Sequence, residues 1–131
     1  MTIKTTAVGL VLALAAGTAM ADWLPVKADP KVRVMADPGS IRRSGDMVTM
    51  WSVINYTSPR KTEDDKAYLS SKQHLEYDCV DRLSRRLEFS RYSDLTGLGQ
   101  VVYSNTNAGA WSPVAAGTVA GELFKFACGE K

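Results

Sequence analysis

The chain has 131 residues, 45% of them hydrophobic and 23% charged, with 16 Lys and Arg against 14 Asp and Glu for a net charge of +2, one histidine and two cysteines. Such a balance excludes a nucleic-acid binder, which needs a pronounced basic excess to release counterions from phosphates. The length leaves room for one modest core and no second domain.

Lys4 precedes the apolar run Ala7 to Ala16, and Gly17 to Ala21 are small or apolar, the three-part layout of a secretory signal peptide. Ala19-Met20-Ala21 supplies the A-x-A cleavage signal, so residues 1–21 are expected to be removed and residues 22–131 to form the single domain. The apolar run is too short to remain as a membrane span, and Asp22 rather than a lipid-bearing Cys follows the cleavage point. A soluble, periplasmic or secreted domain without a membrane anchor is the expected product. Lys4 is the only charge lost, so 15 Lys and Arg remain against 14 Asp and Glu.

Trp23 to Val26 reads as an extended segment against the core, limited to a sheet edge by Pro25. Lys27 to Lys31 reads as a turn, Val32 to Met35 as a first strand, and Asp37-Pro38-Gly39-Ser40 as the turn that ends it. Ile41 to Arg43 leads into the turn Ser44-Gly45-Asp46. Met47 to Tyr56 then carries apolar groups on both faces, as a central strand covered on both sides does. Thr57 to Lys66, with Pro59 and a run of charges, reads as a solvated loop. Tyr68 to Cys79 resumes alternation, with Leu75, Tyr77 and Cys79 on one face and His74, Glu76 and Asp78 on a wet one.

From Val80 to Tyr92 the period is ambiguous: Val80, Leu83 and Leu87 fit a helix face, while Leu83, Leu87 and Phe89 share a strand face. The closing Phe89, Tyr92 and Thr96, and the absence of any N-cap but Asp78, favour a strand. Read so, Arg82 and Arg86 stand outward with Ser84, Glu88 and Tyr92, and Arg85 and Arg91 lie on the other face. These four arginines are the candidate partner-binding residues, the alternative being an ordinary solvated strand face. Gly97-Leu98-Gly99 connects to a strand at Gln100 to Ser104 and lacks the spacing of a phosphate-binding loop. Asn105 to Ala110 is loop. Trp111-Ser112-Pro113-Val114 echoes Trp23-Leu24-Pro25-Val26, a match too short to establish a repeat. Thr118 as N-cap and Gly129 as C-cap frame a short amphipathic helix carrying Val119, Leu123, Phe124 and Phe126. The fold class expected is α+β, an antiparallel sheet of about five to six strands backed by one C-terminal helix.

Two cysteines in an exported chain are most simply a disulfide. Joining Cys79 to Cys128 would pin the helix to the face that carries Leu75 and Tyr77 and contribute on the order of 4 kcal/mol. A metal site built from Cys79, Cys128 and His74 is the rival, but it lacks the paired close spacing of structural zinc sites. His74 has no nucleophile placed beside it, and Glu63-Asp64-Asp65 sits in a solvated loop. No enzyme, cofactor or metal is therefore expected.

A further pattern spans nearly the whole domain. It consists of Trp23, then Asp37 with Ser40-Ile41-Arg42-Arg43 and Gly45, then Met50-Trp51 ahead of Asn55-Tyr56. Ser71-Lys72 ahead of Glu76-Tyr77-Asp78-Cys79 follows, then Tyr92-Ser93, Gly97 and Gly99 before Val101-Val102, and Trp111 and Pro113 before a helix ending in Ala127-Cys128. In order and spacing this resembles the bacterial surface-adhesin protein E family. The resemblance implies a helix-backed antiparallel sheet, the Cys79 to Cys128 disulfide, a tendency to dimerise, and adhesion to host matrix proteins and plasminogen. The family's known adhesin is lipid-anchored, whereas this chain has Asp22 where the anchoring Cys would stand.

Two functions follow as expectations. One is a non-enzymatic binding protein that contacts a host matrix protein or plasminogen through Arg82, Arg85, Arg86 and Arg91, with the terminal Lys131 as a subsidiary plasminogen ligand. The other is a soluble periplasmic envelope protein that binds another periplasmic protein, for example as an inhibitor of a cell-wall hydrolase.

Overall fold

The computed structural model describes residues 21–129, so the expected signal peptide up to residue 20, with Ala19 of its cleavage signal, and the subsidiary ligand Lys131 lie outside the described residues. Alternating side chains punctuated by turn residues give β1 (Leu24–Ala28), β2 (Val32–Ala36), β3 (Arg42–Ser44), β4 (Met47–Lys61), β5 (Ala67–Asp78), β6 (Leu83–Tyr92), β7 (Val101–Asn105) and β8 (Ser112–Pro113). A single helix, α1 (Val119–Cys128), closes the chain. All strand pairs are antiparallel, and the main path through the sheet runs β1-β2-β4-β5-β6-β7. The two short additions, β3 on β4 and β8 on β6, bring the expected five or six strands to eight. Each continues an edge that a longer strand began: β2 and β3 line one side of β4, and β7 and β8 line one side of β6. The Trp-x-Pro-Val echo falls on β1 and β8, two short marginal strands where a residue without an N–H is tolerated.

The helix ends where its caps say it should. The Thr118 side chain accepts from the Gly121 amide, and Gly129 adopts the left-handed conformation, its N–H donating to the Lys125 carbonyl. Its buried residues Leu123, Phe124 and Ala127 pack on Val34, Ala36, Val48, Met50, Leu75 and Tyr77, which together form the core. Cys79 and Cys128 form the disulfide across a sequence separation of 49, pinning the end of α1 to the face that carries Leu75 and Tyr77. With both sulfurs bonded to each other, neither is available to a metal.

Three local readings change. The strand expected at Met47 to Tyr56 runs on to Lys61, so the solvated loop shrinks to the residues around Thr62–Lys66. Pro59 escapes penalty because it falls inside the register shift between Asn55 and Arg60, where the ladder is already interrupted. The β5–β6 connection, Cys79 to Arg82, is a turn and not strand. Asp78 holds it, its carboxylate accepting from the Val80 and Asp81 amides at 3.1 and 2.9 Å, so Asp78 is buried instead of wet. Finally, β6 carries a bulge: His74 pairs with Glu88 but Leu75 pairs with Arg86, which leaves Leu87 as the extra residue.

Cover on the sheet is uneven. The helix lies over β1, β2, β4 and β5, leaving the β6–β7 half of the same face without a helix. On the opposite face, the turn at Leu95–Gly97 folds back over β4 and β5. The Asn55 carboxamide accepts from the Thr96 amide at 2.7 Å, and the Ser70 hydroxyl donates to the Asp94 carbonyl while accepting from Gly97. Val53 is fully buried there, but Trp51 and Thr49 stay half-buried, so β4 is covered completely on one side only.

Candidate functional site

The bulge at Leu87 decides which arginines meet. In a regular strand Arg86 would share a face with Glu88 and Tyr92, and Arg91 would lie opposite. The extra residue flips the phase, so that Arg86 stands across from Leu75 and Arg91 across from Ser71, both on the face that α1 covers further along. Arg85 moves to the other face, opposite Glu76. The grouping of Arg86 with Glu88 and Tyr92, and of Arg85 with Arg91, expected from simple alternation is therefore corrected. Arg82 belongs to the turn with φ of 55°, and its guanidinium lies 4.7 Å from the ring centroid of Phe124 in the middle of α1.

Arg85 is engaged within the domain. Its Nε and terminal nitrogen each lie 2.7 Å from Glu76 Oε1, and its guanidinium sits 4.7 Å from the Trp111 centroid. On the same face Trp51 and His74 stack with centroids 4.6 Å apart and planes 6° from parallel, with Lys72 Nζ 5.0 Å from the Trp51 ring. Burial lowers the His74 pKa, the charges of Glu88 and Glu76 opposing that shift. Nothing there supplies a nucleophile to a base.

Arg86 and Arg91 instead join a cluster assembled from four strands on the half-face without the helix. Arg91 has its guanidinium 4.8 Å from the Tyr68 centroid and 5.3 Å from both Phe89 and Tyr103. Arg86 lies 3.8 Å over Phe89, and Arg60 lies 4.2 Å over Tyr56. The rings also touch one another: Tyr56 meets Tyr68 edge-on at 5.5 Å, and Phe89 meets Tyr103 at 5.5 Å. The Tyr56 hydroxyl is tied to Ser71 Oγ at 3.1 Å, which fixes that end of the stack. Each guanidinium so placed gains about 0.5–1 kcal/mol from the ring quadrupole while its N–H fork stays open at the edge. Among the described residues none of Arg60, Arg86 and Arg91 makes an ion pair. Desolvation, and after it the Arg91 charge, lower the Arg86 pKa from the ordinary guanidinium value; the group remains a cation.

Beside this stack lies an open cavity of about 390 Å³ lined by Glu63, Asp64, Phe89, Arg91, Val102 and Tyr103. Its acidic wall comes from the tip of the β4–β5 hairpin, where a hydrogen bond from the Thr62 hydroxyl holds the Asp64 carboxyl below its usual range. The arrangement offers planar cations, aromatic surface and a flanking carboxylate wall. Such groups suit charge-assisted and planar contacts with a ligand's polar groups. Sequence alternation found Arg86 and Arg91 but missed Arg60, Tyr56, Tyr68, Phe89 and Tyr103 as their neighbours. Only strand register brings those residues together, and the one local signal was aromatic residues recurring opposite arginines in successive strands.

Residues 23–129 match the family described as surface-adhesin protein E. Crystal form II of Haemophilus influenzae protein E superposes with a TM-score of 0.63 at 13% identity, over 80% of this chain and 92% of that one. A second structure of Haemophilus influenzae protein E gives 0.60 at 14% identity, over 80% and 89%. A comparison with curated protein sequences finds no match. The structural likeness at such low identity speaks for the shared helix-backed sheet, and the sequence match covers nearly every described residue: the chain belongs to the surface-adhesin protein E family.

Proposed function

We propose that this protein is an exported, non-enzymatic binding protein that grips a protein partner, a host matrix glycoprotein or plasminogen, through the face bearing Arg60, Arg86 and Arg91. The observation that carries this reading is the set of three guanidinium groups held over aromatic rings with no ion-pair partner among the described residues. A surface that served stability alone would neutralise such charges, as Glu76 neutralises Arg85 on the opposite face. Membership of a surface-adhesin family supports a binding role, and the leader at residues 1–21 supplies the export that role requires.

The test is binding of the purified protein to immobilised matrix glycoproteins and to plasminogen over a range of ionic strength. Binding should weaken as salt rises. The Arg86→Ala, Arg91→Ala double variant should lose about a hundredfold or more in affinity, since each charge-assisted contact is worth about 1.5–3 kcal/mol. The Arg85→Ala variant should bind as the parent does. A double variant with full affinity would remove this face from the interaction.

A further inference from the structure

The two ends of the sheet are treated differently. The outer edge of β1 contains Pro25 and Lys27, is broken by a register shift between Pro25 and Lys27, and has α1 packed beside it. Lys27 Nζ even reaches the Gly117 carbonyl at 2.9 Å, tying that edge to the loop before the helix. These are the devices that keep an edge strand from pairing with another chain. At the other end, β7 reads Val101-Val102-Tyr103-Ser104-Asn105, with no proline and no charge, and a register shift that leaves Val102 as the extra residue between the Tyr92–Val101 and Arg91–Tyr103 pairs is the one irregularity it shares with β1. It pairs with β6 on one side and ends the sheet on the other. Val101 and Tyr103 are 55% and 41% exposed. Val102 and Tyr103 of this same strand line the cavity whose walls carry Arg91 on one side and Glu63 and Asp64 on the other.

We propose that β7 is a docking edge: an extended segment of a protein partner adds to it as a further strand, with an acidic side chain directed to Arg91 and a basic one, two residues along, directed to Glu63. This rests on the protein-binding reading above and specifies how the partner is held. Main-chain hydrogen bonds from an open edge supply sequence-independent affinity, and side chains at alternate positions supply selectivity. The spacing follows from the strand period, since residues two apart on the added strand point to the same face, the one on which Tyr103 lies opposite Arg91. Asp64 is already paired with Lys66 at 3.4 Å, which leaves Glu63 as the wall residue without an ion-pair partner among the described residues. A second copy of this chain pairing β7 to β7 is the less suited occupant, because Val101–Asn105 brings no charge to meet either wall.

The probe is a short blocked peptide of alternating valines carrying one glutamate and one lysine two residues apart, compared with the same peptide carrying glutamine at both positions. Amide hydrogen exchange of the isotope-labelled protein is followed with and without each. With the charged peptide, exchange across Val101–Asn105 should slow about tenfold or more as its outward amides gain partners. The neutral peptide should give about a tenth of that affinity or less, and Arg91→Ala should reduce the charged peptide's affinity by a similar factor. Protection elsewhere in the sheet, equal protection by both peptides, or no protection at millimolar peptide would each overturn the proposal. So would slowing of the same amides when the protein is merely concentrated without peptide, which would assign the edge to a second copy. If β7 stays unprotected while matrix binding still depends on Arg86 and Arg91, the docking edge is wrong and the binding face stands.

Discussion

Tyr77 is fully buried with its ring edge-on to Phe124 at 6.1 Å, and its hydroxyl has no hydrogen-bond partner among the described residues. A buried hydroxyl without a partner retains its desolvation cost and returns nothing for it, so Tyr77→Phe should stabilise the domain by about 1 kcal/mol in urea unfolding. A loss of stability in that variant would show that the hydroxyl is satisfied. His74 gives a second prediction at this scale. Burial lowers its pKa from 6.5, with Glu88 and Glu76 pulling the other way, while its ring stacks on Trp51. A histidine favoured neutral in the fold binds its proton more readily when unfolded. Its contribution is therefore full above the unfolded value and declines as pH falls through it. Unfolding midpoints should drop between neutrality and about pH 5, and His74→Gln should flatten that slope. Identical slopes in the two proteins would assign the acid sensitivity to other groups.

At the scale of elements, α1 is held by caps, core contacts and the disulfide, and one glycine inside it is there for space. Gly121 is buried in the first turn, and a Cβ at that position would run into the Ala115 carbonyl oxygen. Glycine to alanine in a helix ordinarily gains about 1 kcal/mol. Here the obstacle is backbone that cannot swing away, so Gly121→Ala should instead cost about 1–2 kcal/mol as overpacking does. A stabilised variant would mean that the loop before α1 yields easily. Replacing both Cys79 and Cys128 by Ser should cost about 4 kcal/mol, from the chain entropy released over a separation of 49. The helix was legible because its determinants are local: Thr118, Gly129 and the Leu123-Phe124 pair lie within one short stretch. The arginine faces of β6 were not. Strand character could be read from Phe89 and Tyr92, but the bulge at Leu87 exists only in the pairing with β5, and one extra residue exchanges Arg85 for Arg86 on the face that carries Arg91. The extension of β4 to Lys61 was hidden for a related reason, since Pro59 and its charged neighbours have the composition of a loop while the partner strand supplies the order.

Over the whole molecule the sheet is graded from a sealed centre to contrasting margins. From Met47 opposite Asp78 to Asn55 opposite Ser70, β4 and β5 pair continuously, and both are flanked by other strands. Most of that ladder lies under α1 on one side, and the Leu95–Gly97 turn covers its far end on the other. Opening it requires breaking the core, so amides in these two strands should exchange at rates set by global unfolding. The outward amides of β7 need no such event, because nothing among the described residues pairs with them, and they should exchange fastest of any strand. Protection in β1 should be intermediate and should fall when the disulfide is reduced, since α1 packs beside that strand and the disulfide fixes the helix end. Native-state exchange in the oxidised and reduced protein reads all three. Uniform protection from β1 to β7 would mean that the sheet opens only as one unit, and β7 could then take an added strand only as a rigid template.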